Sequence, residues 1–406
     1  MRAHCMVEHP RWSGLPTCAR EHAAYHRAVA SELTWERVLA WRMERQLIAQ
    51  RAPAADWMAV VRRICGLHAQ VQSSAELTLW ARVDGLARDV VARALWDERS
   101  LVRTWAMRGT LHLLAADELG LWVGAQAALR PRYETASWRK ASGMSSAEAV
   151  AVLDAIRDAL DGPPLTRDEL GDAVAEALGD ARLGDAVRGS FGAMPKLGAL
   201  RGDVCFARPA GRKVRFTRPD LWLGPWQPVA PPRAAFAGVL RRYLAVQGPA
   251  TREDFARWFG MPSAAQAGRE LARLGDDVVS VRIAGADAGW MLAADVAAAA
   301  VARPRGTVAL LPGFDQYVVA APRGADAVLA NEHRARVYRP QGWLSPVLVV
   351  DGRIDGVWKH AHKHGTLSVW IEPFGDPGAE VRAAAHDEAT RLAGYLGAEE
   401  LDVSWA

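Results

Sequence analysis

Up to about residue 300 the apolar positions recur at helical spacing behind capped starts, and beyond it they fall into short alternating runs, the periods of helix and strand respectively. Two stretches share one grammar. In the first, Ser145-Ser146-Ala147-Glu148 forms a capping box opening a helix with Leu153, Ile156 and Leu160 on one face, stopped at Asp161-Gly162. Thr166 and Glu169 box a second helix, and a third runs from about Asp185 to Leu200. Val204-Cys205-Phe206 and Val214-Arg215-Phe216 follow as two strands joined by a polar turn from Pro209 to Lys213. In the second stretch, a helix carrying Val239, Tyr243 and Val246 ends at Gly248-Pro249, Thr251 caps the next, and Ser263 opens a third bearing Gln266, Arg269 and Arg273. Strands Val278 to Ile283 and Trp290 to Leu292 flank a turn from Ala284 to Gly289. Three helices followed by a hairpin is a winged helix, a variant of helix-turn-helix.

An earlier stretch repeats the pattern. Thr34 caps a helix bearing Trp35, Val38, Leu39 and Leu47; a second carries Trp57, Val60, Val61 and Ile64 and stops at Gly66. Ser73-Ser74-Ala75-Glu76 boxes a third, and Leu101 to Leu114 reads as β-structure broken at Arg108-Gly109. After residue 300, Val308 to Leu311, Val347 to Val350, Ile354 to Trp358 and Leu367 to Ile371 are strand-like, with a tight hairpin at Asp351-Gly352 and a closing helix from about Ala379 to Leu396. The fold expected is α+β, mostly α: three tandem winged-helix units and a C-terminal antiparallel sheet or barrel with a closing helix. The corresponding divisions are an aperiodic leader over 1–31, disordered or misassigned, units over 32–144, 145–232 and 233–303, and a β-rich region over 304–406.

Composition narrows the function. The 406 residues are 50% hydrophobic and 24% charged, which suits a folded multidomain chain. No apolar run approaches the ~20 residues of a membrane span, and no secretory signal opens the chain, so a cytoplasmic location, nucleoid-associated through DNA, is expected. Four scattered cysteines suit a reducing compartment. Net charge is +4, and only five of the 50 basic residues are lysine. Arginine grips phosphate through a planar fork, so a chain of winged helices with this bias points to DNA.

The sharpest local feature is Gln70-Val71-Gln72, immediately before a capped helix. In an extended segment both amides share one side with Val71 opposite, facing the positive end of the following helix. Such a pair can hold a phosphate, a base edge or a water.

Together with Leu101-Val102-Arg103-Thr104-Trp105-Ala106-Met107-Arg108-Gly109-Thr110-Leu111-His112, this motif resembles the AlkZ/YcaQ family of DNA glycosylases. So do Leu310-Leu311-Pro312-Gly313-Phe314-Asp315 and the run from Val350 to Trp358, and the matches keep family order from about residue 33 to 375. The leader carries no family motif. The resemblance implies tandem winged helices, removal of N7-alkylated guanines (for some members from interstrand crosslinks), and Gln70 and Gln72 as the catalytic pair of the Gln-x-Gln branch. It implies a monomeric enzyme without cofactor or metal, acting on double-stranded DNA containing alkylated guanine. The rival from another class is a non-catalytic winged-helix regulator.

Other candidates carry two readings each. His112 either contacts the lesion strand or closes the wing by a backbone hydrogen bond. Asp315 is either a general base or a turn cap. Arg103 and Arg108 in the wing, and Arg130, Arg132, Arg139 and Lys140 in a basic-aromatic stretch, are candidate phosphate contacts. Lys359-His360-Ala361-His362-Lys363-His364 alternates on an expected strand. Three histidines on one face suggest a metal, but the absence of an acidic cluster favours Lys359 and Lys363 as a basic hairpin on DNA. In the leader, His4, Cys5, His9, Cys18, His22 and His26 lack the close cysteine pair of a zinc module.

Overall fold

The computed structural model describes residues 32–189, 193–224, 230–284 and 286–406; the leader and its histidines and cysteines lie outside the described residues. Three winged-helix units follow one another, with one sheet order. In the first, helix Trp57–Arg63 leads to strand Leu67–His68, helices Gln72–Trp80 and Val90–Trp96, and strands Leu101–Trp105 and Leu111–Ala115. The short first strand pairs with the last, which pairs with the middle one. The second repeats this with Ser146–Ala159, Leu165–Thr166, Arg167–Leu178, Ala181–Arg188, Ala193–Arg201, Cys205–Ala210 and Lys213–Thr217. In the third, Pro232–Gln247, Arg252–Phe259 and Ala264–Ala272 precede strands Val278–Ile283 and Ala286–Leu292, and a single bridge from Ala250 to Trp290 replaces the first strand.

Local chemistry sets most starts. Ser145 with Glu148, Thr166 with Glu169 and Thr251 with Asp254 form reciprocal capping boxes, and Ser263 caps its helix through the Gln266 amide.

Several expectations need correction. The box at Ser73 does not form: the helix begins at Gln72 after extended Val71, without a side-chain cap, and Glu76 bonds Gln72 instead. Helix Trp35–Arg45 is not the opening helix of the first unit. Leu33 pairs with Ile283, and Val38 and Trp41 pack on Val281, Ile283 and Met291 of the third unit's hairpin. The second unit's expected third helix is two, Ala181–Arg188 and Ala193–Arg201, separated by a segment that includes residues outside the described set.

The C-terminal region is a five-stranded sheet of Val308–Leu311, Val347–Val350, Arg353–Lys363, Thr366–Pro373 and Glu400–Trp405, in that order. Its first four strands are antiparallel. The chain ends on a strand rather than on helix Gly378–Leu396, because Glu400–Trp405 adds parallel to Thr366–Pro373. The hairpin at Asp351-Gly352 takes left-handed backbone at both residues (φ 46° and 89°), as its turn type demands. A Cβ on Gly352 would stand 2.7 Å from that of Leu39, so this turn packs against helix Trp35–Arg45.

One large core joins the first and third units to the C-terminal sheet, while the second unit has a core of its own around Leu153, Ile156, Val174 and Phe216. Among the described residues no helix is long and apolar enough to cross a membrane.

Candidate active site

Gln70 and Gln72 lie where the first unit's opening strand becomes a helix. Strand Leu67–His68 pairs with Leu111–Ala115, His68 opposite His112, and the Ala69 amide still bonds the Leu111 carbonyl at 2.7 Å. The chain then leaves the sheet. Gln70 is exposed, Val71 is extended (φ −117°, ψ 114°) and packs against the core, and Gln72 is the first helical residue. The two amides therefore flank an anchored valine, and no side chain caps the helix, so its first amides keep their positive end free at the motif.

Gln72 Nε2 donates to Glu76 Oε1 one turn along, at 3.2 Å, directing its carbonyl oxygen away from the carboxylate. Burial raises the Glu76 carboxyl above its ordinary range, opposed by this bond and by Arg88. Glu76 carries no family-like motif; spacing i, i+4 from Gln72 is the signal that would have found it.

Beneath the motif two neutral histidines are packed. His112 is fully buried, its Nδ1 2.9 Å from the Thr110 carbonyl and its Nε2 without a partner. His68 meets it edge-on at 5.3 Å between centroids and stacks on Phe314 at 4.9 Å and 5°. Burial, then the Arg108 charge, pushes His68 down to about 3; burial, then His68 and Arg108, pushes His112 well below the ordinary imidazole range.

Asp315 is buried in the loop facing this layer. Its carboxylate takes two 2.7 Å bonds from Arg82 and one of 2.8 Å from the Tyr317 amide, capping helix Gln316–Ala320.

Arg108, at the tip of the wing (φ 57°), donates to the Trp258 carbonyl at 2.6 Å, and burial followed by Arg323 and Arg257 lowers it to about 10. The third unit accommodates the tip at Gly260, where a Cβ would come 2.7 Å from Arg108 Cα. Lys196 of the second unit closes on the other side: its Cδ lies 3.1 Å from where a Gly109 Cβ would be. Three units thus meet at the first wing. Lys196, half-buried and without a carboxylate partner among the described residues, lies in no motif that marks it in the sequence.

Arg103 turns toward the second unit, its guanidinium 5.1 Å from the Phe206 ring centroid. Arg130 pairs with Glu134 at 3.1 Å, and Arg139 donates to the Glu134 carbonyl at 2.8 Å. Arg132 and Lys140 are exposed without an ion-pair partner among the described residues. On the C-terminal sheet Lys359 and Lys363 project from the end of a long hairpin, with Lys359 Nζ 5.3 Å from the Trp370 centroid. The histidine face breaks there. The strand ends at Lys363, His364 occupies the turn at φ 50°, and His360 stacks on Trp358 at 5.3 Å. Among the described residues no group of three or more His, Cys, Asp or Glu is placed to hold a metal ion.

The proteins this chain resembles are named as DNA glycosylases. The family model described as DNA glycosylase AlkZ-like matches residues 61–395. The interstrand DNA cross-link repair glycosylase of Streptomyces sahachiroi is 36% identical over 381 residues, covering 91% of this chain and 98% of the relative. The solved structure of Streptomyces sahachiroi DNA glycosylase AlkZ superposes with a TM-score of 0.84 at 34% identity, covering 93% of this chain and all of that one. With the family model spanning most of the chain and a 36% identical relative covered over 98% of its length, this protein belongs to the AlkZ-like family of DNA glycosylases.

Proposed function

We propose that this enzyme hydrolyses the N-glycosidic bond of N7-alkylguanine in double-stranded DNA, acting as a cofactor-free monomer, with Gln70 and Gln72 at the reacting sugar. Interstrand crosslinks are within its substrate range, as the Streptomyces relative's name states for that protein. The observation that carries the reading is the placement of an exposed amide, Gln70, and a tethered one, Gln72, on either side of core-anchored Val71 at an uncapped helix start.

Alkylation at N7 makes guanine cationic. The C1′–N9 bond breaks with its electron pair going to the base, which departs neutral without protonation. A water oxygen bonds C1′ and releases its proton to bulk water, leaving an abasic site. The remaining demand is to stabilise the positive charge developing on the sugar and to place the water, and fixed carbonyl dipoles supply a few kcal/mol of that (about 3). A glutamine amide is a poor proton acceptor, so its contribution is electrostatic and positional. Unpaired cations around the wing, Arg132, Lys140 and Lys196, with Lys359 and Lys363 on the hairpin, suit the phosphates.

The test is incubation of duplex DNA bearing N7-methylguanine with the purified protein, followed by alkaline cleavage at abasic sites. Lesion-dependent strand scission is expected, and scission no faster than spontaneous depurination overturns the proposal.

A further inference from the structure

Trp343 stands out among the tryptophans. Among the described tryptophans only Trp343, at 51%, and Trp370, at 38%, are exposed. Trp370 has the Lys359 ammonium 5.3 Å from its centroid. Trp343 is different: it touches Phe314 edge-to-face, 5.0 Å between centroids and 78° between planes, and among the described residues no other ring and no cation stacks on it. It holds a large apolar face open to solvent beside the glutamine motif.

Its support runs directly to the glutamine motif. Phe314 stacks on His68, two residues before Gln70. Beside it, a Cβ on Gly313 would stand 2.9 Å from the Leu344 carbonyl oxygen and 3.8 Å from Ser74 Oγ, two residues after Gln72. The loop carrying Trp343 therefore abuts the segment carrying both glutamines. The loop is also fixed. Tyr338 bridges Leu344, the Arg339 amide bonds the Trp343 carbonyl at 2.9 Å, and the Arg323 guanidinium sits 3.4 Å from the Tyr338 centroid. Arg339, exposed at the start of this loop, has no ion-pair partner among the described residues.

We infer that Trp343 is a stacking shelf for the extruded nucleobase, an N7-alkylated purine, with Arg339 on the adjoining phosphate. An electron-rich indole face suits a cationic purine better than a neutral one, because ring quadrupole and positive charge attract. A base leaving the stack loses stacking energy, and a preformed shelf with both ends of its loop tied restores part of it without ordering cost. The assignment rests on the base-release reading above and adds to it a recognition element distant in sequence from the glutamines.

The test uses binding, so it does not depend on turnover. The probe is a duplex carrying 2′-fluoro-N7-methyl-2′-deoxyguanosine, whose fluorine disfavours the cationic sugar and keeps the lesion intact. The ratio of Kd for undamaged duplex to Kd for this probe is measured for wild type, Trp343→Ala and Trp343→Phe, with folding checked by thermal melting. Wild type is expected to prefer the lesion, the alanine variant to lose about tenfold of that preference or more, and phenylalanine to keep most of it, since stacking on an aromatic face is worth that much per base. An alanine variant with undiminished preference, or a phenylalanine variant as impaired as alanine, overturns the shelf, as does a wild type with no preference for the lesion. Base release from ordinary N7-methylguanine DNA, run alongside, separates this from the glycosylase proposal: release with an unchanged ratio sinks only the shelf, and lesion preference lost on Trp343→Ala without release sinks only the chemistry.

Discussion

Arg82 and Asp315, 233 positions apart in the chain, form a two-bond ion pair with no solvent exposure on either side chain. Arg82 follows helix Gln72–Trp80 and also donates to the Thr78 carbonyl at 2.9 Å, while Asp315 caps the helix after the first C-terminal strand. The pair locks the glutamine-bearing helix to the C-terminal region. All of Asp315's oxygen capacity facing a donor is taken within the protein, which suits a structural tie. Removing one member of a buried pair leaves the other charge uncompensated and costs about 3–5 kcal/mol. Asp315→Asn should therefore lower stability by that order in denaturant unfolding. Base release per folded molecule, measured at a temperature where the variant is native, should stay within a few-fold of wild type. A folded variant that has lost release by orders of magnitude would return Asp315 to the chemistry.

For the glutamine pair the expectation is reversed. Gln70→Ala with Gln72→Ala removes the dipoles and leaves the winged helices intact, so release of N7-methylguanine should fall about 10²-fold or more. DNA affinity should change little. The two single changes should be non-additive, since both amides address one sugar and one water. Single-turnover rates with filter-binding affinities decide this.

Glu76 gives the pair a pH signature. Its carboxylate holds the Gln72 amide, and burial raises its pKa. Protonation weakens that acceptor, so the release rate should decline on acidification from a pH above the ordinary glutamate range. The decline should disappear in Glu76→Ala, which should be slow at all pH values. A pH profile of single-turnover rates that is the same in both proteins would detach Glu76 from Gln72.

The parts of the fold that were legible are those with local causes. Ser145, Thr166 and Thr251 announce their helices because each cap is made by a residue three positions away. Asp351-Gly352 announces its hairpin because few other residues accept that backbone. At Ser73 the same local rule misleads: Glu76 fits the box, but its side chain bonds Gln72, and the helix starts two residues early. Strand Glu400–Trp405 does alternate polar residues with Leu401, Val403 and Trp405, but nothing local gives its partner: the parallel pairing with Thr366–Pro373 is set across the intervening helix. For the site, the glutamine motif is visible through family resemblance and Glu76 through its i, i+4 spacing from Gln72, whereas Lys196 and Trp343 become site residues only by packing between distant segments. The Arg82 tie is similarly invisible, since nothing near residue 82 refers to residue 315.

The buried histidines predict acid lability. His68 has a folded value of about 3 and His112 one well below normal, both through burial and both facing Arg108. The unfolded chain binds protons near pH 6.5 that the native state refuses, so the stabilisation is fully present above that pH and is lost as pH falls toward the folded values. Each histidine contributes up to about 1.4 kcal/mol per pH unit across that window. Denaturant unfolding between pH 7 and 5 should show stability falling with acidification. His68→Phe, which retains a ring against Phe314, should make the slope shallower by about one proton. An unchanged slope would mean that His68 is charged in the fold or never exposed on unfolding.

The last expectation separates free from paired cations. Lys359 and Lys363 project from the C-terminal hairpin without acidic partners among the described residues, while Arg130 is held by Glu134. Each phosphate contact releases counterions and contributes about 0.9 to the slope of log affinity against log salt. Changing both lysines to alanine should therefore reduce that slope by about 2 on undamaged duplex and weaken binding equally across sequences. Arg130→Ala should leave slope and affinity nearly unchanged, because Glu134 already neutralises it and the freed carboxylate lies at an exposed site. Anisotropy titrations over a range of salt concentrations supply both numbers. If the lysine variant keeps the wild-type slope while Arg130→Ala reduces it, the DNA runs over the first unit's helical stretch and not along the hairpin, and the phosphate path proposed above has to be redrawn with Arg130 beside Arg132 and Lys140 and without Lys359 and Lys363.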